Sequence, residues 1–146
     1  MSTRLFFTFM GELKTMVDKA KITPTHDFIS GLDKEGKLLR CYTQNIDCLE
    51  QRLGMNHDMS DKKNSKVIQL HGDLSTVLCI KCRIIMPWSD EFGEVFKNGE
   101  APTCPKCVSS EEKRSIAGMR SRGIGILRPN IVLYNEPHTK GLFSHE

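Results

Sequence analysis

Four cysteines stand in two Cys-x-x-Cys pairs, Cys79-Ile80-Lys81-Cys82 and Cys104-Pro105-Lys106-Cys107. Each pair sets two sulfurs on one tight turn. Two such turns facing each other offer four thiolates in a tetrahedron, the arrangement zinc takes in structural sites. The 21 residues between the pairs exceed the usual window of about 15–20 by one, and one extra loop residue costs little closure entropy. With every ligand a thiolate, no coordination position is left for water, so the expected metal is structural rather than catalytic. A redox dithiol at either pair is the competing reading, and two correctly spaced pairs speak against it. A disulfide framework among the 6 cysteines is the other, and the paired spacing in a reducing compartment favours metal. Of the two remaining cysteines, Cys41 reads as a small core residue.

A second group of polar residues follows two short apolar runs. Gln44, Asn45, Ile46 and Asp47 come after Leu38–Thr43, and His71 follows Val67-Ile68-Gln69-Leu70. Ligands of parallel α/β sheets bind outside the carboxyl ends of the strands. The amides, the carboxylate and the imidazole are therefore expected to converge on one crevice suited to a ribose carrying an amide. Taken singly these residues are bland. A histidine at a strand end is more often structural than a base, and Asn-x-Asp is a common turn signal.

The elements that must position these groups follow from periodicity. Leu5 to Ala20 carries Leu5, Phe6, Phe9, Met10, Leu13, Met16 and Val17 at helical spacing. Pro24 breaks that run, and Thr23 or Thr25 can cap a second helix through Phe28, Ile29 and Leu32 that Gly36 ends. Leu38–Thr43 and Val67–Leu70 read as strands, with a short helix within Ile46–Leu53 and a loop over Met55–Lys66. Helix, turn and strand form half of a βαβ unit, so a parallel sheet is expected. From Ser75 to about Lys113 only scattered aliphatics accompany the cysteines, as in small modules held by metal. Glu111–Arg122 reads as an exposed charged connection, and Asn130–Tyr134 as a third strand. The expected fold is α/β, a partial Rossmann-like parallel sheet with an inserted small zinc-ribbon module. Residues 1–74 and 114–146 belong to the Rossmann-like part, the latter with a substrate-binding strand, and 75–113 to the zinc module.

Composition sets the outer bounds. The chain has 146 residues, 38% hydrophobic and 27% charged, with a formal charge of +3. That is ordinary for a globular protein with one core, and the charge is too mild to argue for nucleic acid. The stretch Cys79–Cys107 has no dense basic and aromatic face, so no direct nucleic-acid role is expected. No apolar run nears the ~20 residues of a membrane span, and no cleavage pattern follows Leu5-Phe6-Phe7.

The order of motifs is more specific than any one of them. Thr43-Gln44-Asn45-Ile46-Asp47-Cys48-Leu49-Glu50, then Leu70-His71-Gly72, then the two cysteine pairs, then Leu127-Arg128-Pro129-Asn130-Ile131-Val132-Leu133-Tyr134-Asn135-Glu136 resembles the sirtuins, the NAD-dependent protein deacylases. Cys48 and Tyr134 look most like fungal nuclear members that act on histones. The resemblance implies a protein-lysine deacetylase that transfers the acetyl group to ADP-ribose with release of nicotinamide, and with it roles in the nucleus and chromatin silencing, the cytoplasm being the second location. It implies that Gln44, Asn45, Ile46 and Asp47 line the pocket for nicotinamide and its ribose. His71 becomes the general base toward a ribose hydroxyl, a role imidazole commonly fills near neutral pH. Val132, Leu133 and Tyr134 contact an acetylated protein substrate, a histone tail or core lysine, by strand addition. Cys79, Cys82, Cys104 and Cys107 hold structural zinc.

The same resemblance carries further expectations. The family's Gly-Ala-Gly-type phosphate loop, its Pro-Asp-Phe-Arg segment and its later Gly-Thr-Ser-type loop have no counterpart here, so weak NAD binding and marginal stability are expected. Asn135-Glu136 stands where members usually have Gly-Glu, and asparagine tolerates positive φ best among non-glycine residues. Cys48 replaces a glycine common in many branches. The alternative is a catalytically inactive, zinc-stabilised protein-binding module.

Overall fold

In the computed structural model of the chain, residues 3–58, 61 and 63–133 are described. The elements are α1 (Thr3–Lys19), α2 (Pro24–Lys34), β1 (Cys41–Thr43), α3 (Leu49–Arg52), β2 (Val67–Gln69), β3 (Gly72–Cys79), β4 (Ile85–Pro87), α4 (Asp90–Lys97), α5 (Pro105–Ile116) and β5 (Leu127–Ile131). They fall into two compact units, one of Met1–Lys19 with Leu74–Asn130 and one of Ala20–Asp73 with Ile131–Glu146.

In the first unit β3 is the middle of a three-stranded sheet, between β4 and β5. It runs antiparallel to β4, with Val77 beside Met86. The core is built from Phe7, Val77, Phe96 and Leu127 together with Cys79, Cys104 and Cys107. Phe96 is fully buried, stacked on Phe7 at 5.4 Å and tilted against Trp88 at 5.0 Å. Helix α1 supplies Phe7 and lies on α4 at Gly11, where an added Cβ would sit 2.7 Å from the Lys97 nitrogen. Only a residue without a side chain permits that approach. Ser89 caps α4 by accepting the Phe92 N–H at 3.2 Å, which satisfies one of the free donors of the first turn.

The second unit holds the parallel pair. β1 and β2 run parallel with Cys41 beside Val67, Tyr42 beside Ile68 and Thr43 beside Gln69. Parallel strands need a crossover connection, and α3 lies within it. Thr23 is the N-cap of α2, its backbone extended and its N–H received by His26 Nδ1 at 3.4 Å. Gly36, at φ +69°, follows the end of α2 as a left-handed C-terminal residue does.

Three expectations needed correction. The strand expected over Leu38–Thr43 is ordered as strand only at Cys41–Thr43, and Leu39 is largely exposed. Glu111–Arg122 is a helix as far as Ile116 rather than a connection. Its charges misled because the helix is buried only at Cys107 and so shows no apolar stripe, while Pro105 starts it at the first position, where a missing N–H costs nothing. The strand expected over Asn130–Tyr134 lies earlier, at Leu127–Ile131, and Tyr134, Asn135 and Glu136 fall outside the described residues. Among the described residues no helix is long and apolar enough to cross a membrane.

Candidate functional site: a thiolate cluster and a strand-end cluster

The first cysteine pair arises where β3 ends. Cys79 is its last residue, and Cys82 follows in a turn that Arg83 leaves at φ +59°. The second pair opens α5, with Cys104 as N-cap and Cys107 in the first turn. Backbone bonds bring the two turns together, Cys104 N–H to the Gly125 carbonyl at 2.8 Å and Ile80 N–H to the Ile126 carbonyl at 3.1 Å. The four Sγ atoms lie within 4.8 Å of one another. Cys79 and Cys107 are 3.8 Å apart, Cys82 and Cys104 3.7 Å. A tetrahedron of Zn–S bonds of ~2.3 Å has edges of about 3.8 Å, so the cluster fits zinc and, being all-thiolate, leaves no open position.

Electrostatics prepares the cluster. Burial works against ionisation of Cys79, but the N–H groups of Cys82 and Lys81, 3.4 Å from its sulfur, and the neighbouring thiols outweigh it and bring Cys79 down to about 7. Burial dominates at Cys104 and pushes it up to about 12. One sulfur is ready to ionise and another resists, which is the condition a divalent cation resolves by displacing protons. Sequence reading missed Gly125. A Cβ there would sit 2.7 Å from Cys79 Sγ and 3.3 Å from Cys107 Sγ, and no local signal marks it, because the crowding comes from residues far away in the chain.

The strand-end cluster belongs to the second unit. The parallel register sets Thr43 beside Gln69, and Leu70 N–H reaches the Thr43 carbonyl at 2.8 Å. Gln44 to Asp47 and His71 therefore leave neighbouring strands at the same end. Gln44 and Asn45 are exposed, whereas Ile46, Asp47 and His71 are half-buried. The loop is tied to itself. Asn45 N–H is received by Thr43 Oγ1 at 3.1 Å, and Asp47 Oδ1 accepts the Leu49 N–H at 3.3 Å. Cys48 adopts φ +60° at the start of α3, consistent with a position where glycine is the easier residue. Its thiol meets the Ile46 carbonyl at 3.6 Å. Val132 N–H donates to the His71 carbonyl at 2.9 Å, which brings the segment carrying Val132 and Leu133 to the histidine. Those two residues are half-buried and outside regular structure.

Two further features around this loop escaped sequence reading. Gln51 Nε2 donates to Gln69 Oε1 at 2.7 Å, and Gln69 Nε2 reaches Cys48 Sγ at 3.6 Å. This amide pair joins α3 to the strand that leads to His71, across 18 residues of sequence. Glu50 is buried, with Oε2 lacking a hydrogen-bond partner among the described residues. Burial, and then the Glu50 carboxylate, raise the Cys41 thiol above its ordinary range.

Comparison with known proteins places this geometry in a family. The model of the Sir2 family matches residues 2–145. The NAD-dependent histone deacetylase HST3 of Saccharomyces cerevisiae is 47% identical over 145 residues, covering 92% of this chain and 32% of the relative. The NAD-dependent protein deacetylase hst4 of Schizosaccharomyces pombe is 39% identical, covering 94% of this chain and 33% of the relative. Sirtuin-1 of Homo sapiens is 37% identical over 76% of this chain and 12% of its own length. A solved structure of Sir2Tm bound to a propionylated peptide superposes with a TM-score of 0.63 at 26% identity, covering 91% of this chain and 45% of that one. The chain spans about a third of the length of the HST3 and hst4 relatives.

Proposed function

The chain belongs to the Sir2 family, and from that premise we propose that it serves an NAD-dependent deacetylase of acetyl-lysine, with histones as substrate and the nucleus as place of action. NAD supplies an electrophilic ribose carbon and a leaving nicotinamide. Gln44, Asn45, Ile46 and Asp47 line the nicotinamide and ribose side. The side-chain amide of Asn45 and the carboxylate of Asp47 orient hydroxyl and amide groups by hydrogen bonds. His71 takes the proton of a ribose hydroxyl on its imidazole as general base. Val132, Leu133 and Tyr134 receive the extended substrate segment, and the acetyl group leaves lysine for ADP-ribose. Zinc at Cys79, Cys82, Cys104 and Cys107 holds the first unit together and takes no part in these proton movements.

The observation that carries this reading is the parallel register of β1 and β2. It sets the ends of β1 and β2 side by side, so the residues that follow them, Gln44–Asp47 and Leu70–His71, start from the strand ends where α/β sheets bind ligands, which supports this reading. Relatives named NAD-dependent histone deacetylases support the substrate class. The test is nicotinamide release from NAD in the presence of an acetyl-lysine histone peptide. Release by the wild type and its loss in His71→Ala is the expected result. Equal release by both proteins, above the release without protein, would remove His71 from the reaction and with it this assignment.

A further inference from the structure

The charge of the chain is unevenly placed. Residues 79–83 and 104–123 carry seven Lys or Arg against Glu111 and Glu112, a local +5 in a chain of net +3, so the remainder is net negative. Four thiolates around a divalent ion would add −2 to these two segments and leave them positive.

The positive side chains sit on a fixed frame. Glu111 accepts the Ser121 hydroxyl at 2.6 Å and the Arg122 N–H at 2.9 Å. The Arg114 guanidinium donates twice to the Arg120 carbonyl, at 2.9 and 2.6 Å. Lys81 Nζ donates to the Gly123 carbonyl at 2.8 Å. The segment after α5 is thus held against α5 and the first cysteine turn although it has no regular structure. The Ser121 hydroxyl and the Arg122 N–H keep the Glu111 carboxyl below its ordinary range. Its carboxylate oxygens are thus committed to the frame.

Between α5 and that segment lies a cavity of about 250 Å3, lined by the cations Lys81, Lys106 and Arg122, by Ser110 and Glu111, and by the cysteines Cys82 and Cys107. That is below the ~300–1,000 Å3 of small-molecule sites and ample for a carboxylate side chain. Ile80 and Ile124, chain neighbours of the lining residues Lys81 and Gly123, are 48% and 50% exposed. No aromatic residue occurs between 104 and 124, so the face offers bases nothing to stack on. Cations flanked by aliphatic side chains fit a protein partner better than a nucleic acid.

We propose that this face docks an acidic protein segment. An Asp or Glu side chain enters the cavity between Lys106 and Arg122, and apolar residues of the same segment cover Ile80 and Ile124. The proposal goes beyond the deacetylase reading and is read out by binding, so a failed deacetylation assay would leave it standing. The experiment is fluorescence anisotropy with the zinc-loaded full chain and three labelled probes of equal length: a peptide of mixed Asp and Leu, polyglutamate and oligothymidylate. The expected result is tightest binding of the Asp/Leu peptide, weakened about tenfold or more in the double variant Lys106→Glu, Arg122→Glu as charge attraction turns to repulsion. Ile124→Ser should weaken the Asp/Leu peptide while leaving polyglutamate unchanged. Metal content is measured for each variant. If charge reversal releases zinc, the neutral pair Lys106→Gln, Arg122→Gln carries the comparison, with a loss of about threefold or more expected. Oligothymidylate binding more tightly than the peptide, or charge variants binding as the wild type does, would overturn it.

Discussion

Substituting Gly125 by alanine tests the thiolate geometry more sharply than removing a ligand would, because every cysteine stays in place. The new Cβ would lie 2.7 Å from Cys79 Sγ, 2.6 Å from Lys81 Cβ and 3.3 Å from Cys107 Sγ. Ordinary van der Waals contact begins near 3.4 Å, so at least one sulfur must retreat by about 0.7 Å, far more than a tetrahedral site with bonds of ~2.3 Å can absorb. The backbone cannot swing away freely, because the Gly125 carbonyl receives the Cys104 N–H at 2.8 Å. Overpacking of this kind costs about 1–3 kcal/mol. At about 1.4 kcal/mol per factor of ten, that is about 5- to 150-fold in zinc affinity. Competition against a chromophoric chelator measures it. Gly31→Ala is the internal control. It lies inside α2 with nothing within 4 Å of an added Cβ, so the helix should gain up to about 1 kcal/mol with zinc affinity unchanged. A Gly125→Ala protein that holds zinc within about twofold of the wild type would show that the sulfurs are not crowded there and that the argument from geometry is wrong.

Two other outcomes follow from the packing. Phe96→Ala removes a ring that is fully buried between Phe7 and Trp88 and should cost about 3–5 kcal/mol in denaturant unfolding of the zinc-loaded chain. A loss below about 1 kcal/mol would mean that this core is not the one that stabilises the first unit. The Cys41 thiol is raised by burial and then by Glu50, so at mildly alkaline pH it should react with iodoacetamide more slowly than a free model thiol. Glu50→Gln removes the second cause and should speed the reaction, and mass spectrometry showing unchanged or slower alkylation would contradict the influence of that carboxylate.

What could be read from the chain directly was chemistry carried by short spacings. A Cys-x-x-Cys turn is a local object, so its two sulfurs are recognisable without knowing where the other pair lies. The same holds for the start of α2 at Thr23 or Thr25, between which the structure chose Thr23, for the Gly36 end, and for the polar residues that step off β1 and β2, since period and capping act over a few residues. The parallel pairing of those strands also followed from local order, as helix, turn and strand leave few other topologies. Tertiary structure alone decided the features that depend on groups distant in sequence. It set Gly125 against two sulfurs, closed α1 onto α4 at Gly11, joined Gln51 to Gln69, and gathered cations from the first cysteine turn, α5 and the following segment onto one face. Helix α5 was hidden because its charged surface shows no apolar period, and its ordering rests on Pro105 at its start and on contacts closed by Glu111 and Arg114. Local preferences are written along the chain, whereas excluded volume and long-range hydrogen bonds exist only after the chain has folded back on itself.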